Sequence, residues 1–372
     1  VRRALPPWPA LALAIAALAP HAAAAQARAA TPGFSIERGP GYKILRVASP
    51  WPGAARAYSY VLYPRGSPRP AGIRADRFVE IPVRRVVTFS TTYLAQIASL
   101  GETDSVVGVD SAAAVSSPEL RARIASGRIA EVARNWAPNV ELLIALKPDL
   151  VLAYGMGNEW DSHPKLEEAG LPVVIDAEWN ENEPLARAAW LEFVAAFYGK
   201  EELARGRLSG VEAEYGRLKE LAARAERRPW VLVNGPFQGS WSVSGGRSYM
   251  ARAIADAGGA YLWAEDGSTG GLVLSIEAVY ARALRADIWL NPSFGAQRAA
   301  DIAALDPRFA SLPVLAAGGV WNNNLRLNGE GGNDYFESAV LNPHEVLADL
   351  VAIFHPELLP GRRFAYYRRI EP

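Results

Sequence analysis

Four aromatic side chains stand on segments rich in glycine and asparagine, where a hydrophobic core is hard to build around them. Trp136 follows Arg134-Asn135, Tyr154 and Trp160 bracket Gly155-Met156-Gly157-Asn158-Glu159, and Trp241 ends Gly235-Pro236-Phe237-Gln238-Gly239-Ser240. Such segments are turns and loops, so rings carried there point to a cleft, with a place in the core as the alternative for each. Further candidates are Arg247 and Tyr249 after Gly245-Gly246, and Asn322 and Asn323 in Trp321-Asn322-Asn323-Asn324. Rings bury about 150–250 Å² each with little ordering, which suits a large, flat, partly apolar ligand. Arg134, Arg247, Arg298 and Arg326 are either partners for its carboxylates or phosphates or solvated surface arginines.

Other chemistries are excluded or weakened. The 372 residues include no cysteine and four histidines, with 39 basic and 39 acidic side chains. Thiolate zinc sites, iron–sulfur clusters, disulfides and cysteine nucleophiles are therefore absent. His163, His344 and His355 are too few and too scattered to capture a bare transition-metal ion, so no metal site and no resident cofactor are expected. Neutral balance argues against nucleic acid as a partner. A secreted carbohydrate-active enzyme is the rival reading, with Glu159, Asp161, Glu330 and Asp334 as candidate carboxylates.

The elements that must position these residues follow from periodicity. Residues 1–25 carry Arg2-Arg3, an apolar run from Ala10 to Ala19 and the small tract Ala22 to Ala25. This pattern predicts a signal peptide cleaved near Ala25 and a periplasmic or secreted location. With no cysteine at that point, no lipid attachment is expected there. Residues 26–83 hold short β-type runs, Tyr42 to Val47 and Ala57 to Tyr63, and predict a hairpin-like, β-rich extension. Residues 84–184 alternate strand and helix: Arg85 to Phe89, Thr92 to Leu100, Ser105 to Val109, Val140 to Leu146, Leu150 to Ala153, Lys165 to Ala169, Val173 to Asp176. Continuous apolar strands between helices require a parallel sheet covered on both faces.

In 185–228 the strand signals stop, and Leu203, Leu208, Val211, Tyr215, Leu218 and Leu221 recur at helical spacing without proline, predicting one long helix from Glu201 to Glu226. Alternation resumes in 229–372, with strands at Trp230 to Asn234, Ala260 to Trp263, Asp287 to Leu290 and Pro313 to Ala316. Helices are expected at Ser248 to Ala257, Ile276 to Leu284 and His344 to Phe354. The fold class is thus α/β: two Rossmann-like lobes with central parallel sheets, bridged by one long α-helix, with a β-rich N-terminal extension. The glycine-rich Gly329 to Tyr335 lacks the context of a phosphate loop and reads as a mobile cleft loop.

Two units repeat across the halves. Glu141 in Val140-Glu141-Leu142-Leu143-Ile144-Ala145-Leu146-Lys147-Pro148-Asp149-Leu150-Val151-Leu152 and Glu277 in Ile276-Glu277-Ala278-Val279 to Asp287-Ile288-Trp289-Leu290 each stand in the first turn of a helix feeding a strand. Either carboxylate complements the helix dipole, worth about 0.3–1 kcal/mol.

The Leu-x-Pro-Asp-Leu-Val unit, Arg85-Val86-Val87-Thr88-Phe89-Ser90, the long helix and Asn342-Pro343-His344-Glu345-Val346-Leu347 resemble the periplasmic substrate-binding proteins of ABC importers for iron complexes and vitamin B12. The resemblance implies a soluble, monomeric, non-enzymatic carrier that takes a small-molecule metal complex, a ferric siderophore first, haem or a corrinoid otherwise, between two lobes. It implies delivery to a membrane permease, with Glu141 and Glu277 as the docking carboxylates, and places Trp136 where the family presents an aromatic to its ligand.

Overall fold

The computed structural model describes residues 32–371, so the expected signal peptide lies outside the described residues. Strands β1 (Phe34–Gly39), β2 (Tyr42–Val47), β3 (Tyr58–Pro64) and β4 (Arg77–Ile81) form one sheet in that order, antiparallel except for the parallel β3–β4 pair. The extension is therefore a four-stranded sheet, larger than the expected hairpin. Its outer strands carry too many polar residues to announce themselves. One face is apolar, and Leu45, Val47, Tyr58, Tyr60, Leu62 and Val79 enter the core of the lobe that follows. The Tyr60 hydroxyl also accepts the Ile175 N–H at 2.9 Å, tying the two sheets together.

That lobe is built from β5 (Val86–Thr88), α1 (Thr91–Ser99), β6 (Val106–Val109), α2 (Pro118–Ala125), β7 (Ala130–Glu131), the hairpin β8 (Ala133–Arg134) and β9 (Ala137–Pro138), α3 (Val140–Leu146), β10 (Leu150–Ala153), α4 (His163–Glu168) and β11 (Val173–Ile175). Its five-stranded sheet is wholly parallel, in the order β11-β10-β5-β6-β7. Burial of every residue from Leu150 to Ala153 explains why this strand reads as an unbroken apolar run.

Helices α5 (Pro184–Ala189), α6 (Leu191–Ala196) and α7 (Glu201–Ala222) connect the lobes. The long helix exists and ends four residues before the expected Glu226. Its 22 residues span about 33 Å. Ala204 and Leu208 pack into the first core, whereas Tyr215, Leu218 and Ala222 pack into the second. Tyr215 donates to Asp256 at 3.0 Å and Lys219 pairs with the same carboxylate at 2.9 Å, fixing the far end.

The second lobe contains β12 (Trp230–Val233), β13 (Pro236–Phe237), β14 (Ser240–Ser244), α8 (Tyr249–Asp256), β15 (Ala260–Tyr261), β16 (Gly271–Ser275), α9 (Ile276–Ala283), β17 (Ile288–Leu290), α10 (Ala299–Leu305), α11 (Pro313–Ala316), β18 (Val320–Asn322), α12 (Pro343–Phe354) and β19 (Arg368–Arg369). The main sheet runs β15-β12-β17-β18-β19 with only β19 antiparallel, and β13-β14-β16 form a small antiparallel sheet beside it. Pro313–Ala316 is one helical turn where a strand was expected. A four-residue apolar run is ambiguous between the two, and a proline at the first helical position decides it. Numbered within each lobe, the strand orders are 3-2-1-4-5 and 2-1-3-4-5, so the sequence repeat does not give two identical sheets.

The lobes also meet across a polar joint. Glu337, buried in the second lobe, accepts the N–H groups of Ser116 (2.6 Å) and Ser117 (3.0 Å) at the start of α2. Asn328 donates to the carbonyls of Ala113 (2.9 Å) and Val115 (2.8 Å), and Thr91 donates to the Phe336 carbonyl at 3.1 Å. Arg121 pairs with Glu330 at 2.9 Å. The 329–335 segment is thus pinned between the lobes, which corrects the expectation of a mobile loop. Gly332 is required there, because a Cβ would stand 2.6 Å from the Ala113 carbonyl oxygen.

Burial pushes the Glu337 carboxyl up to about 7 against the pull of the two amides. Between its ordinary range near 4.5 and this value the folded state holds a proton the unfolded chain has released, so stability falls as pH rises through that window. The shift corresponds to about 3 kcal/mol. Glu337→Gln is expected to flatten the loss of thermal stability between pH 5 and 8, measured by melting curves against the unaltered chain.

Candidate ligand-binding cleft

Open α/β sheets bind ligands beyond the carboxyl ends of their strands, where the connections diverge to opposite sides. In the first lobe this point lies between β5 and β10. A cavity of about 720 Å³ opens there, lined among others by Phe89 after β5, Asp110 after β6, Glu131 at the end of β7, Trp136 on the β8–β9 hairpin, and Tyr154 and Trp160 after β10. Three of the expected aromatics are therefore brought into one wall. Trp136 and Trp160 are 86 % and 82 % exposed, so both indoles are available to a ligand.

Trp136 owes its position to the turn. Asn135 (φ 50°) and Trp136 (φ 66°) form the two central residues of the hairpin, both in left-handed conformation. That geometry matches the twist of the flanking strands. For a bulky residue it costs roughly 1–2 kcal/mol, and no packing offsets it. Strain at an exposed aromatic points to a function for the ring.

The floor is acidic. Burial pushes Asp110 up to about 6, opposed by the Ser111 amide, with Glu131 adding a smaller push. Glu131 itself accepts the Ala112 N–H at 3.0 Å. Burial, then the Asp110 and Asp161 carboxylates, raise the Tyr154 phenol. Arg134 is the one cationic side chain among the lining residues. Asp110 and Glu131 were not singled out from the sequence; an acid directly after an apolar strand, as in Val109-Asp110, is the signal that finds them.

A second hollow of about 260 Å³ shares Ser111 with the first and continues it between the lobes. Thr91 and Ala113 line one side, Phe294 and Phe336 the other. These two phenyl rings stack at 5.6 Å and 5°. Phe294 lies on the loop after β17 and the 73 %-exposed Phe237 follows β12, the two strands at which the second sheet's connections diverge.

The structure places other expected residues elsewhere. Trp241 is fully enclosed, stacked on Trp289 at 5.4 Å and edge-on to Phe309, with its indole N–H donating to the Val233 carbonyl. It belongs to the core because β14 pairs along its length with β16 and turns the ring inward. Asn322 is buried and donates to the carbonyls of Ser293 (2.6 Å) and Ala296 (2.9 Å), holding the loop after β17. Asn323 is buried as well. Tyr249 sits at the lobe joint under the Arg187 guanidinium, 4.5 Å from its ring, on a cavity of about 70 Å³ that touches the second hollow through Phe336 and not the Trp136 wall. Arg247 is exposed on its loop and lines neither hollow. Arg298 and Arg326 pair with Asp301 and Asp334.

Asn139 and Ser275 cap α3 and α9 by accepting the N–H groups of Leu142 and Ala278, which puts Glu141 and Glu277 in equivalent first turns. Both are exposed. Glu141 has no ion pair among the described residues, whereas Glu277 meets Arg308 at 3.0 Å. Among the described residues no three His, Asp or Glu side chains are grouped to hold a metal ion, and no helix is long and apolar enough to cross a membrane.

Residues 86–321 match the periplasmic binding protein family model. The chain belongs to that family. An uncharacterized lipoprotein of Methanocaldococcus jannaschii is 26 % identical over 84 % of this chain and 76 % of its own length. A periplasmic heme binding protein from Pseudomonas aeruginosa superposes with a TM-score of 0.59 at 18 % identity, covering 78 % of this chain and 99 % of that one. The periplasmic vitamin B12 binding protein of Vibrio cholerae gives 0.53 at 15 %, covering 75 % and 99 %. These solved structures share the fold of this chain. The β1–β4 sheet precedes the matched region.

Trp136→Gly would give the hairpin the favoured Asn-Gly pair. Thermal stability is expected to hold or rise by up to about 1 kcal/mol, while the affinity for a ligand of this cleft falls at least tenfold. Melting curves and fluorescence titration read the two effects separately.

Proposed function

We propose that the protein is the exported solute-binding component of an ABC importer and that it captures a metal chelate in the inter-lobe cleft. The observation that carries this reading is the wall of Trp136, Tyr154 and Trp160 around a cavity at the strand ends, with exposed phenyl rings across from it. Flat faces of a ferric chelate or a corrinoid match that lining. Two carboxylates against one guanidinium disfavour a highly anionic tricatecholate and favour a neutral or cationic complex. A haem held by a tyrosinate is a weaker fit, because burial and the Asp110 and Asp161 carboxylates raise the Tyr154 phenol and favour its protonated form. Three of the four carboxylates considered for sugar hydrolysis are engaged otherwise: Asp161 holds the Met156 and Gly157 amides, Asp334 pairs with Arg326, and Glu330 pairs with Arg121.

The protein acts as a monomer in the periplasm or outside the cell after loss of its leader, and uses Glu141 and Glu277 to meet basic residues of a permease. One exposed ion pair contributes little, but one on each lobe sets the register of the complex.

Tryptophan quenching with ferrioxamine B, its neutral N-acetyl form, dicyanocobinamide, haemin and ferric enterobactin tests the ligand class. Binding of one of the first three at micromolar or lower concentration is expected, with ferric enterobactin weakest; binding of none of the five would remove the reading. The docking assignment is tested by the Glu141→Ala, Glu277→Ala pair, which is expected to leave ligand binding within twofold and abolish uptake in a reconstituted importer. Equal loss of both activities would count against docking.

A further inference from the structure

The β1–β4 sheet reaches the ligand cleft through one side chain. Trp51, in the turn between β2 and β3, leaves its own sheet and lies against the loop after β10. Its indole is 5.1 Å from the imidazole of His163 and edge-on to Tyr58 at 5.9 Å. The turn is anchored to the lobe where Asn180 donates to the Ser49 carbonyl at 3.2 Å.

Across this contact the loop is shaped to the indole. A Cβ on Gly155 would stand 2.6 Å from Trp51 Cζ3, and one on Gly157 would stand 2.8 Å from its Nε1. Gly157 also has φ 77°, whereas Gly155 is not in the left-handed region, so at Gly155 the requirement is space alone. His163 is buried between the two elements, with its imidazole 3.8 Å from the Asp161 carboxylate. From within, Asp161 accepts the Met156 and Gly157 amides at 2.7 and 2.8 Å, and Asn158 accepts that of Trp160 at 3.0 Å. One side of the loop therefore rests on Trp51, and Tyr154 and Trp160 line the cavity with the other.

We propose that the N-terminal sheet braces the ligand site, with Trp51 as the positioning residue that holds the Tyr154–Trp160 loop in its binding conformation. Loops carry little stability of their own, and a wall set by packing from outside binds without first having to be ordered. This rests on the ligand role proposed above for the cavity. It gives the sheet, which lies outside the family match, a place in recognition.

The test uses the full chain, with dicyanocobinamide, ferrioxamine B and haemin as probes and hydrogen exchange of the ligand-free loop as an independent readout. Trp51→Ala is expected to weaken the tightest probe at least tenfold and to speed exchange at residues 155–160, and Trp51→Phe to recover most of both. Gly155→Ala alone should weaken binding. Combined with Trp51→Ala it should add no further loss, because the methyl then enters the space the indole left. Leu45→Ala, a core truncation in the same sheet, is the control for general destabilisation and should leave affinity within twofold. Unchanged exchange in Trp51→Ala, unchanged affinity despite faster exchange, additive losses in the double variant, or an equal loss in Leu45→Ala would each overturn the brace. Failure of the unaltered chain to bind any probe would instead remove the proposed function, and the brace with it.

Discussion

The helix Glu201–Ala222 belongs to two hydrophobic cores at once, and the rest of the molecule depends on that sharing. Its first turns are held by Ala204 and Leu208 among the side chains of the first lobe, its last by Tyr215, Leu218 and Ala222 among those of the second. Neither lobe can rotate far without exposing apolar surface on this helix at about 25 cal/mol per Å². The separation of the two sheets, and hence the width of the cleft, is set by a rigid rod rather than by flexible strands.

The polar joint adds a second constraint close to the cleft. Glu337 and Asn328 hold residues 113–117, which continue the loop that begins with Asp110 and Ser111 at the cavity floor. The floor of the first lobe is therefore fastened to the second lobe through backbone groups, and a displacement at one would be felt at the other. Burial of Glu337 makes this fastening sensitive to protonation in a way that an exposed carboxylate would not be.

Most of the architecture was legible because it is written in local periodicity. The run Leu150 to Ala153 could only be a buried strand, and the proline-free apolar spacing from Leu203 to Leu221 could only be a long helix. The site was half legible. Trp136 and Trp241 look alike in sequence, one after Asn135 and the other after Gly239-Ser240, yet one is at a hairpin tip and the other faces a core. The difference lies in the pairing of β14 with β16, about thirty residues apart, which no local pattern reports. Asn322 was misplaced for a related reason: an asparagine cluster reads as a ligand contact, but its amide satisfies carbonyls of another strand's loop. Asp110 and Glu131 were overlooked because single acids at strand ends are common, and only their convergence on one cavity distinguishes them.

The unequal strand orders of the two sheets carry one more consequence. Because the lobes are not copies related by a twofold axis, the cleft has two unlike jaws. One offers indoles, a phenol, carboxylates and the Arg134 guanidinium, the other the phenyl rings of Phe294 and Phe336 beside Glu330 and Asn333. A ligand whose two faces differ meets unlike surfaces in its two orientations, so the protein would favour one of them.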